Sequence, residues 1–264
     1  MTPLVRHRLT REQTGPALRA LSEWTPADLP GGGLHPGDVG WYLRFDDAVV
    51  HLWSAGGTPV AVGFLDGHVL RVTAAPEADL EAVAADAEEV LGPDDDRTDG
   101  LPMPGWTRDT DEPWTALTWT PRPVTTRAEL VGPGTAADRV LVQRAAFAGS
   151  TFTVERWQAM KGSPAGGLLV ETLVRTPSGA PAAAATGWFA GEGRCGLLEP
   201  VGTDPEHRGH GYGRDAVLGA CAALAERGAS AVAVVTPSSN EGGVAFYRSV
   251  GFTVVRENLD WARA

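Results

Sequence analysis

The segment from Arg208 to Gly213 carries glycine at three alternating positions, Gly209, Gly211 and Gly213. An extended apolar run ends just before this segment, and residues with helical spacing follow it. Glycine in a helix costs roughly 0.5–1 kcal/mol relative to alanine, so its repetition here indicates that something must approach the bare backbone. The feature predicts a strand, a glycine-rich turn and a helix in succession, which is a building unit of α/β folds.

The beginning of that helix is suited to hold an anion. A helix N-terminus carries unpaired N–H groups and a partial positive charge, and an anion contacts them directly where side chains are absent. A P-loop would need Gly-Lys-Ser/Thr, but Arg214 and Asp215 follow Gly213. A dinucleotide fingerprint would need glycine at position 214, and no acidic residue closes the next strand. Both nucleotide motifs therefore fail.

The pattern that fits residues 208–213 is R-x-x-G-x-G, and a second pattern, N-x-x-A-x-x-x-Y-x-x-x-G-F, fits residues 240–252. Only Gly243 departs from the second pattern, because alanine is usual there. Together the two motifs resemble those of the GNAT superfamily of N-acetyltransferases, which use acetyl-coenzyme A. The resemblance is specific over residues 195–260 and extends over 123–264.

The resemblance implies a binding site for acetyl-coenzyme A as co-substrate. In the family, the strand before the glycine loop separates from its neighbour, and pantetheine pairs with its free backbone. The loop amides then hold the diphosphate, with Arg208 adding positive charge, while Asn240 caps the next helix and contacts the pantetheine amide. The cofactor-binding residues so implied are Val201, Thr203, Arg208, Gly209, His210, Gly211, Tyr212, Gly213 and Asn240.

Acetyl transfer to an amine requires a base that deprotonates the ammonium group and an acid that assists the departing thiolate. Tyr247 stands where the family's tyrosine reaches the coenzyme sulfur, so it is the candidate acid. Glu199, in the strand before the loop, is the candidate base, with burial expected to raise its pKa. Glu171, on a neighbouring strand, is the alternative base. A packed tyrosine and a solvated or paired glutamate are the structural alternatives for these residues.

Four residues are expected to line the acceptor pocket: Phe152, Trp157, Glu171 and Trp188. His207 and His210 lie three residues apart, but no further ligand cluster accompanies them, so no metal is expected. Cys221 has helical spacing to Val217 and Leu224 and is interpreted as a core residue rather than a nucleophile.

The two halves of the chain show a weak similarity. Pro76-Glu77 can be laid over Pro205-Glu206, which places Leu80, Ala82 and Ala84 where the second half has its glycines. We therefore expect two GNAT-like domains, 1–122 without a cofactor loop and 123–264 catalytic, in a tandem arrangement like that of mycothiol synthase. The fold class expected is α/β (α+β), with a mixed, largely antiparallel twisted sheet flanked by helices in each domain.

Other segments are assigned by periodicity and by turn residues. The sequence predicts a helix over residues 10–24, a Pro/Gly-rich loop over 25–40 and strands within 41–65 that turn at Gly56-Gly57. A further helix is predicted from Pro76 to Gly92.

The charge composition limits the kinds of molecule that the protein is expected to bind. The formal net charge of −11 argues against a nucleic-acid binder and leaves room for an amine-bearing substrate. The N-terminal residues lack a signal-peptide core, no apolar run is long enough to span a membrane, and a reducing cytoplasm is expected. The chain is expected to be a monomer or a homodimer.

The predicted activity is acetyl transfer from acetyl-coenzyme A to the primary amine of a small molecule, by direct attack on the thioester. Three alternatives stay open: a non-catalytic acyl-coenzyme A sensor or interaction module, an N-acetyltransferase acting on proteins, and an oxidoreductase with a nucleotide loop.

Overall fold

The computed structural model describes residues 3–28 and 33–263. The first half contains strands β1 (Leu4–Leu9), β2 (Val50–Ala55), β3 (Thr58–Asp66), β4 (Val69–Ala74), β5 (Arg97–Asp99), β6 (Thr107–Arg108) and β7 (Trp114–Trp119), and helices α1 (Gly15–Trp24), α2 (Pro36–Tyr42) and α3 (Leu80–Ala87).

The second half repeats this order, with one additional helix before its last strands. Its strands are β8 (Glu129–Leu130), β9 (Leu169–Arg175), β10 (Pro181–Trp188), β11 (Cys195–Thr203), β12 (Ala231–Pro237), β13 (Thr253–Asn258) and β14 (Trp261–Ala262), and its helices are α4 (Ala136–Ala146), α5 (Val154–Gly162), α6 (Tyr212–Glu226) and α7 (Glu241–Val250).

The last strand of each half belongs to the sheet of the other half. The first sheet has the order β1-β2-β3-β4-β5-β14-β6, and the second has the order β13-β7-β12-β11-β10-β9-β8. Strand β7 thus lies between β12 and β13, while β14 lies between β5 and β6. Both sheets are mixed and largely antiparallel, which confirms the predicted fold class. A domain boundary at residue 122 divides the sequence into halves but does not separate the two sheets, because β7 precedes residue 122 and belongs to the second sheet.

The β-turn-α unit occurs once in each sheet as a parallel crossover. Strand β4 pairs in parallel with β5 around α3, and β11 pairs in parallel with β12 around α6. Pro76-Glu77 and Pro205-Glu206 both lie between the strand and the helix of their unit. The proposed overlay of the two halves therefore joins topologically equivalent turns.

Helix α2 was not expected, because the sequence predicts a loop over 25–40 and strands from 41. Residues 29–32 of that loop lie outside the described residues. His35 replaces the usual Ser, Thr, Asp or Asn as the cap of α2: its Nδ1 accepts from the N–H of Gly37 at 2.9 Å. Asp38 accepts in turn from the N–H of His35 at 2.6 Å, and Pro36 occupies the first helical position.

Most other predicted elements are confirmed. The predicted helix over 76–92 is shorter, because Asp79 caps α3 by accepting from the N–H of Ala82 at 3.1 Å. The turn at Gly56-Gly57 joins β2 to β3 with both glycines at positive φ. Thr153 caps α5 through a hydrogen bond from the N–H of Arg156 at 3.2 Å.

Helix α2 docks onto the second half through two glycines and a tryptophan. A Cβ on Gly37 would lie 2.4 Å from Cγ of Trp188, and one on Gly40 would lie 2.4 Å from Cζ3 of the same ring. Trp188 is fully buried, and His35 Nε2 lies 3.0 Å from the carbonyl oxygen of Cys195 in β11. Burial lowers the pKa of His35 to about 4, so its neutral ring donates to that carbonyl. One hydrophobic core consequently spans both halves.

We expect Gly40→Ala to destabilise the protein by about 1–3 kcal/mol, because the added methyl group overlaps the buried Trp188 ring. Urea unfolding measures the change. Gly162→Ala is the matched control, since nothing lies within 4 Å of a Cβ at that helical position. Equal stabilities of the two variants would contradict the docking described here.

Candidate active site

Strands β11 and β12 form a fork. They pair only from Cys195 to Leu197 and separate beyond Leu197. Thr203 is aligned with Ala183 of β10, and the N–H of Asp204 donates to the carbonyl of Ala182 at 2.9 Å. In an antiparallel ladder this arrangement directs the N–H and C=O of Thr203 away from β10. Val201, two residues earlier in the same register, is oriented alike, so both residues present backbone groups to the open side of the fork.

The glycines of the segment 208–213 have two different structural roles. Gly209 and Gly211 adopt φ values of 80° and 79°, the left-handed region that favours glycine. Gly213 lies inside the helix, where a Cβ would come within 2.6 Å of the Thr203 hydroxyl oxygen. The first two glycines shape the turn, and the third lets α6 begin directly against the fork.

The corresponding helix of the first half cannot receive an anion in the same way. Asp79 fills the beginning of α3 with its own carboxylate. Gly211 is the N-cap of α6, and no side chain among the described residues caps that helix. The first N–H groups of α6 are therefore available to a ligand, and those of α3 meet a negative charge.

Two arginines lie at the glycine loop. Arg208 is exposed, as expected for a residue that adds positive charge to the loop. Arg127, which the sequence analysis missed, forms an ion pair with Asp215 and lies 3.4 Å from the carbonyl oxygen of His210. Its only sequence signal is a position just before the short strand β8. The His210 ring stacks on Tyr212 at 5.8 Å, which orders the loop.

A cavity of about 250 Å³ lies between the halves and reaches the inner end of the fork. Its lining includes Leu197 and Leu198 of β11 and Val235 of β12, on the two sides of the fork. Five carboxyl groups and one arginine also face it: Asp38, Asp66, Asp99, Glu199, Asp260 and Arg71. Burial, reinforced by Asp99 and opposed by Arg71, raises the pKa of Asp260 to about 6.

Glu199 stands where β11 leaves β12, and its carboxyl group is enclosed by protein although the residue keeps some accessible surface. The indole Nε1 of Trp188 donates to its carbonyl oxygen at 2.7 Å. Burial, and then the neighbouring carboxylate of Asp38, raise the pKa of Glu199 well above its usual range, while Arg71 and Arg44 oppose the shift.

A second, more open cavity of about 420 Å³ lies on the other side of Glu199. Phe152 and Arg44 contribute to its wall. The Arg44 guanidinium lies 4.0 Å from the ring centres of Trp41 and Phe45. Desolvation lowers the pKa of Arg44 to about 10, so the group keeps its charge at neutral pH. Glu199 is thus reached from two directions.

Three of the four residues expected in the acceptor pocket line neither cavity. Glu171 is buried, and both of its carboxylate oxygens accept hydrogen bonds. Arg139 Nε donates to one at 3.0 Å and Trp157 Nε1 donates to the other at 2.6 Å. Trp157 is held in that network, and Trp188 packs under α2 and orients Glu199. Phe152 is the one of the four that borders either of these two cavities. The network leaves Glu171 without a free oxygen for proton transfer, so Glu199 is the stronger candidate base.

Tyr247 lies in α7 and Asn240 is its N-cap, and neither residue lines the acidic cavity. Tyr247 is buried against Phe252, with ring centres 5.6 Å apart, and burial raises the pKa of its hydroxyl group. The phenol is therefore neutral and able to donate. Asn240 caps α7, accepting from the N–H of Gly243 at 3.0 Å, and donates to the Thr236 hydroxyl at 3.1 Å. The predicted cap is confirmed, while its contact with pantetheine stays a prediction.

The first half contributes cavity residues that the sequence analysis did not identify, chiefly His35, Asp38 and Arg71. Arg71 Nη2 contacts Asp38 Oδ1 at 2.8 Å, and its Nε lies 3.4 Å from Asp99 Oδ2. The first two residues lie in the segment assigned to a loop, and the third in an ordinary strand. A His-Pro-x-Asp capping sequence was the one local signal available for the first two.

Comparison with known proteins agrees with this geometry. Residues 140–252 match the model of the acetyltransferase (GNAT) family. This match places residues 140–252, most of the second half, in the GNAT family. A stretch of 62 residues is 40% identical to mycothiol acetyltransferase from Thermobispora bispora, covering 24% of this chain and 21% of that protein. The chain therefore matches about a fifth of that curated relative.

Solved structures show the same fold over nearly the whole chain. A tandem GNAT protein from the clavulanic acid biosynthesis pathway superposes with a TM-score of 0.58 at 16% identity, covering 98% of both chains. A GCN5-related N-acetyltransferase from Sphaerobacter thermophilus gives a TM-score of 0.52 at 17% identity, covering 99% of this chain and 96% of the other. At such identities these similarities establish the tandem GNAT fold alone.

The described residues form neither a metal-binding cluster nor a membrane-spanning helix. No three His, Cys, Asp or Glu side chains in residues 3–28 and 33–263 cluster so that they could hold a metal ion. No helix in the same ranges has the length and apolar character needed to cross a membrane.

Glu199 should make the stability of the protein depend on pH. Its folded-state pKa is raised, so the folded protein retains a proton that the unfolded chain releases above about pH 4.3. The stability that Glu199 contributes is present below that pH and is lost as the pH rises toward its folded-state pKa. Wild-type protein should therefore lose stability relative to Glu199→Gln over this window, as measured by urea unfolding at several pH values.

Glu129→Gln, the same change at an exposed position of β8, is the control for this measurement. A stability difference between wild type and Glu199→Gln that does not change with pH would contradict the buried, proton-retaining carboxyl group.

Proposed function

We propose that this protein transfers the acetyl group of acetyl-coenzyme A to the primary amine of a small molecule. The observation that carries the proposal is the position of Glu199, at the inner end of the β11–β12 fork and facing the acidic cavity between the halves. The fork and the bare beginning of α6 suit the co-substrate, and the cavity suits an ammonium group.

The fork offers acetyl-coenzyme A a continuous set of contacts. The backbone groups of Val201 and Thr203 point to its open side, so an extended amide chain could hydrogen-bond there as an added strand. Beyond them lie the uncapped N–H groups of α6, with Arg208 and Arg127 adding positive charge for a diphosphate. We assign the co-substrate to this half only, because Asp79 blocks the equivalent helix in the first half.

The acidic cavity favours a cationic acceptor. Five carboxyl groups line it against one arginine, and that arginine is shared by Asp38 and Asp99. An anionic or neutral acceptor would leave these groups without a counter-charge. The walls come from both halves, so the first half serves to bind the acceptor rather than a second coenzyme.

The reaction needs two proton movements. Glu199 in its ionised form accepts one proton from the ammonium group, and the freed nitrogen lone pair attacks the thioester carbonyl carbon. A C–N bond forms and the C–S bond breaks, with its electron pair passing to sulfur. Tyr247 supplies the proton that converts the thiolate into the coenzyme thiol. The second proton of the nitrogen leaves to solvent, and Tyr247 regains a proton from solvent. The products are an N-acetyl amide and coenzyme A.

A thiol-release assay tests this function directly. Purified protein is incubated with acetyl-coenzyme A and a panel of monoamines, diamines, amino sugars, amino acids and a peptide with a free N-terminus. We expect release that depends on a small amine and is lost in Glu199→Gln. Binding of acetyl-coenzyme A without release for any acceptor would favour a non-catalytic sensor, and release with the peptide alone would favour a protein N-acetyltransferase.

Tyr247→Phe should lower kcat by about 10²-fold or less, the range expected for loss of one general acid. The KM for acetyl-coenzyme A should stay near the wild-type value, because the ring and its packing against Phe252 are retained. An unchanged kcat would remove Tyr247 from the mechanism.

Gly211→Ala should raise the KM for acetyl-coenzyme A by about 5- to 30-fold, because a left-handed residue with a Cβ costs about 1–2 kcal/mol and displaces the loop. Gly57→Ala is the matched control: Gly57 has φ 83° in a distant hairpin, with nothing within 4 Å of a Cβ. Equal KM values in the two variants would argue against binding at this loop.

A further inference from the structure

The first half places a second carboxyl group against Glu199. The Asp38 side chain is hydrogen-bonded to that of Glu199, and both face the cavity between the halves. Asp38 itself is buried, with 6% of its surface accessible. Two carboxyl groups can share a hydrogen bond only when one of them carries a proton, since carboxylates are acceptors alone. The contact therefore implies one proton held by the pair.

The surroundings determine which group carries that proton. Arg71 contacts Asp38 at 2.8 Å, and the N–H of His35 donates to the other oxygen of Asp38 at 2.6 Å. Each of the two Asp38 oxygens therefore already accepts a hydrogen bond from an N–H donor. Glu199 has the more distant cations, Arg71 and Arg44, and receives the repulsion of the Asp38 charge. The shared proton accordingly resides mainly on Glu199.

Other charged groups of the cavity modify this balance from several elements. Asp99 of β5 competes with Asp38 for Arg71, and Arg44 lies just beyond α2. Asp66, at the end of β3, and Asp260, before β14, add negative charge to the lining. His35 is neutral, because burial lowers its pKa to about 4. Asp38 is the group in direct hydrogen-bond contact with Glu199.

The position of Asp38 depends on the docking of α2. Asp38 lies between Gly37 and Gly40, the two glycines that let α2 rest on Trp188. Trp188 donates to the carbonyl oxygen of Glu199, and His35 bonds to that of Cys195 in the same strand. The helix is thus linked to β11 directly through His35 and indirectly through Trp188 of β10.

We propose that Asp38, from the half without a glycine loop, is a positioning residue that shares one proton with Glu199 and sets the pH at which Glu199 accepts a proton from the acceptor amine. This inference rests on the proposed acetyl transfer. It gives the first half a part in the chemistry besides binding the acceptor.

The test is the pH dependence of kcat/KM, whose acidic limb reports the ionisation of the base in the free enzyme. In Asp38→Asn the repelling charge is gone and Arg71 faces Glu199 alone. We expect the acidic limb to move to lower pH by about one unit or more. Asp46→Asn is the matched control, because this exposed carboxylate shortly after α2 pairs with Arg11 and should leave the limb in place.

A purely structural role for Asp38 would lower activity without moving the limb, and that result in a folded Asp38→Asn would overturn the proposal. A second measurement does not need this variant to fold. Infrared difference spectra of wild type against Glu199→Gln at neutral pH should show the C=O band of a protonated carboxyl group in wild type. Absence of that band would also overturn the proposal.

The proposed acetyl transfer and the proposed role of Asp38 can be refuted independently of each other. If wild-type protein releases no thiol with any amine, the proposed acetyl transfer is wrong, but the infrared band still reports whether the carboxyl pair holds a proton. If release occurs and both the limb and the band behave as in an unpaired glutamate, only the role of Asp38 is wrong.

Discussion

Each sheet of this protein is completed by a strand from the other half, and the site between the halves depends on that exchange. Strand β13 reaches the second sheet only through β7, and β6 reaches the first sheet only through β14. Neither half can form its complete sheet alone. The exchanged segments also bring Trp114 and Asp260 to the cavity, so the element that joins the halves supplies part of its wall.

The two halves share one topology but contribute different features to the site. In the second half the β-turn-α unit has left-handed glycines, an uncapped helix and an open strand fork. In the first half the equivalent helix is capped by Asp79, and α2 docks on the partner sheet. A helix that carries a carboxylate at its N-terminus gains local stability and loses the ability to bind an anion. The first half instead contributes polar groups to the shared cavity.

The sequence predicted the parts of the site whose chemistry depends on the local backbone. Glycine spacing before α6 and the second motif through Tyr247 are short-range patterns, and the elements around them are confirmed. Glu199 could be proposed because it lies in the same strand as the loop. Glu171 and Trp188 line neither cavity, and alternation along a strand does not tell which of its faces meets the other half. Glu171 proved to be neutralised by Arg139, which lies 32 residues away in the chain.

The contribution of the first half could not be predicted, because it arises from contacts between residues far apart in sequence. Asp38 and Glu199 are brought together by α2, a helix whose histidine cap resembles a loop in single-sequence reasoning. The exchange of strands could not be predicted from the sequence either. Strands β7 and β14 have ordinary strand patterns, and only the strands they pair with show that each belongs to the sheet of the other half. Tertiary packing determines both features.

We propose that the two halves form one transferase site with a single coenzyme, held at the loop of the second half. Isothermal titration of the full chain with acetyl-coenzyme A tests it most directly. We expect one binding site per chain, because α6 is free to bind a diphosphate and α3 is capped. Two sites per chain, or no binding, would contradict it.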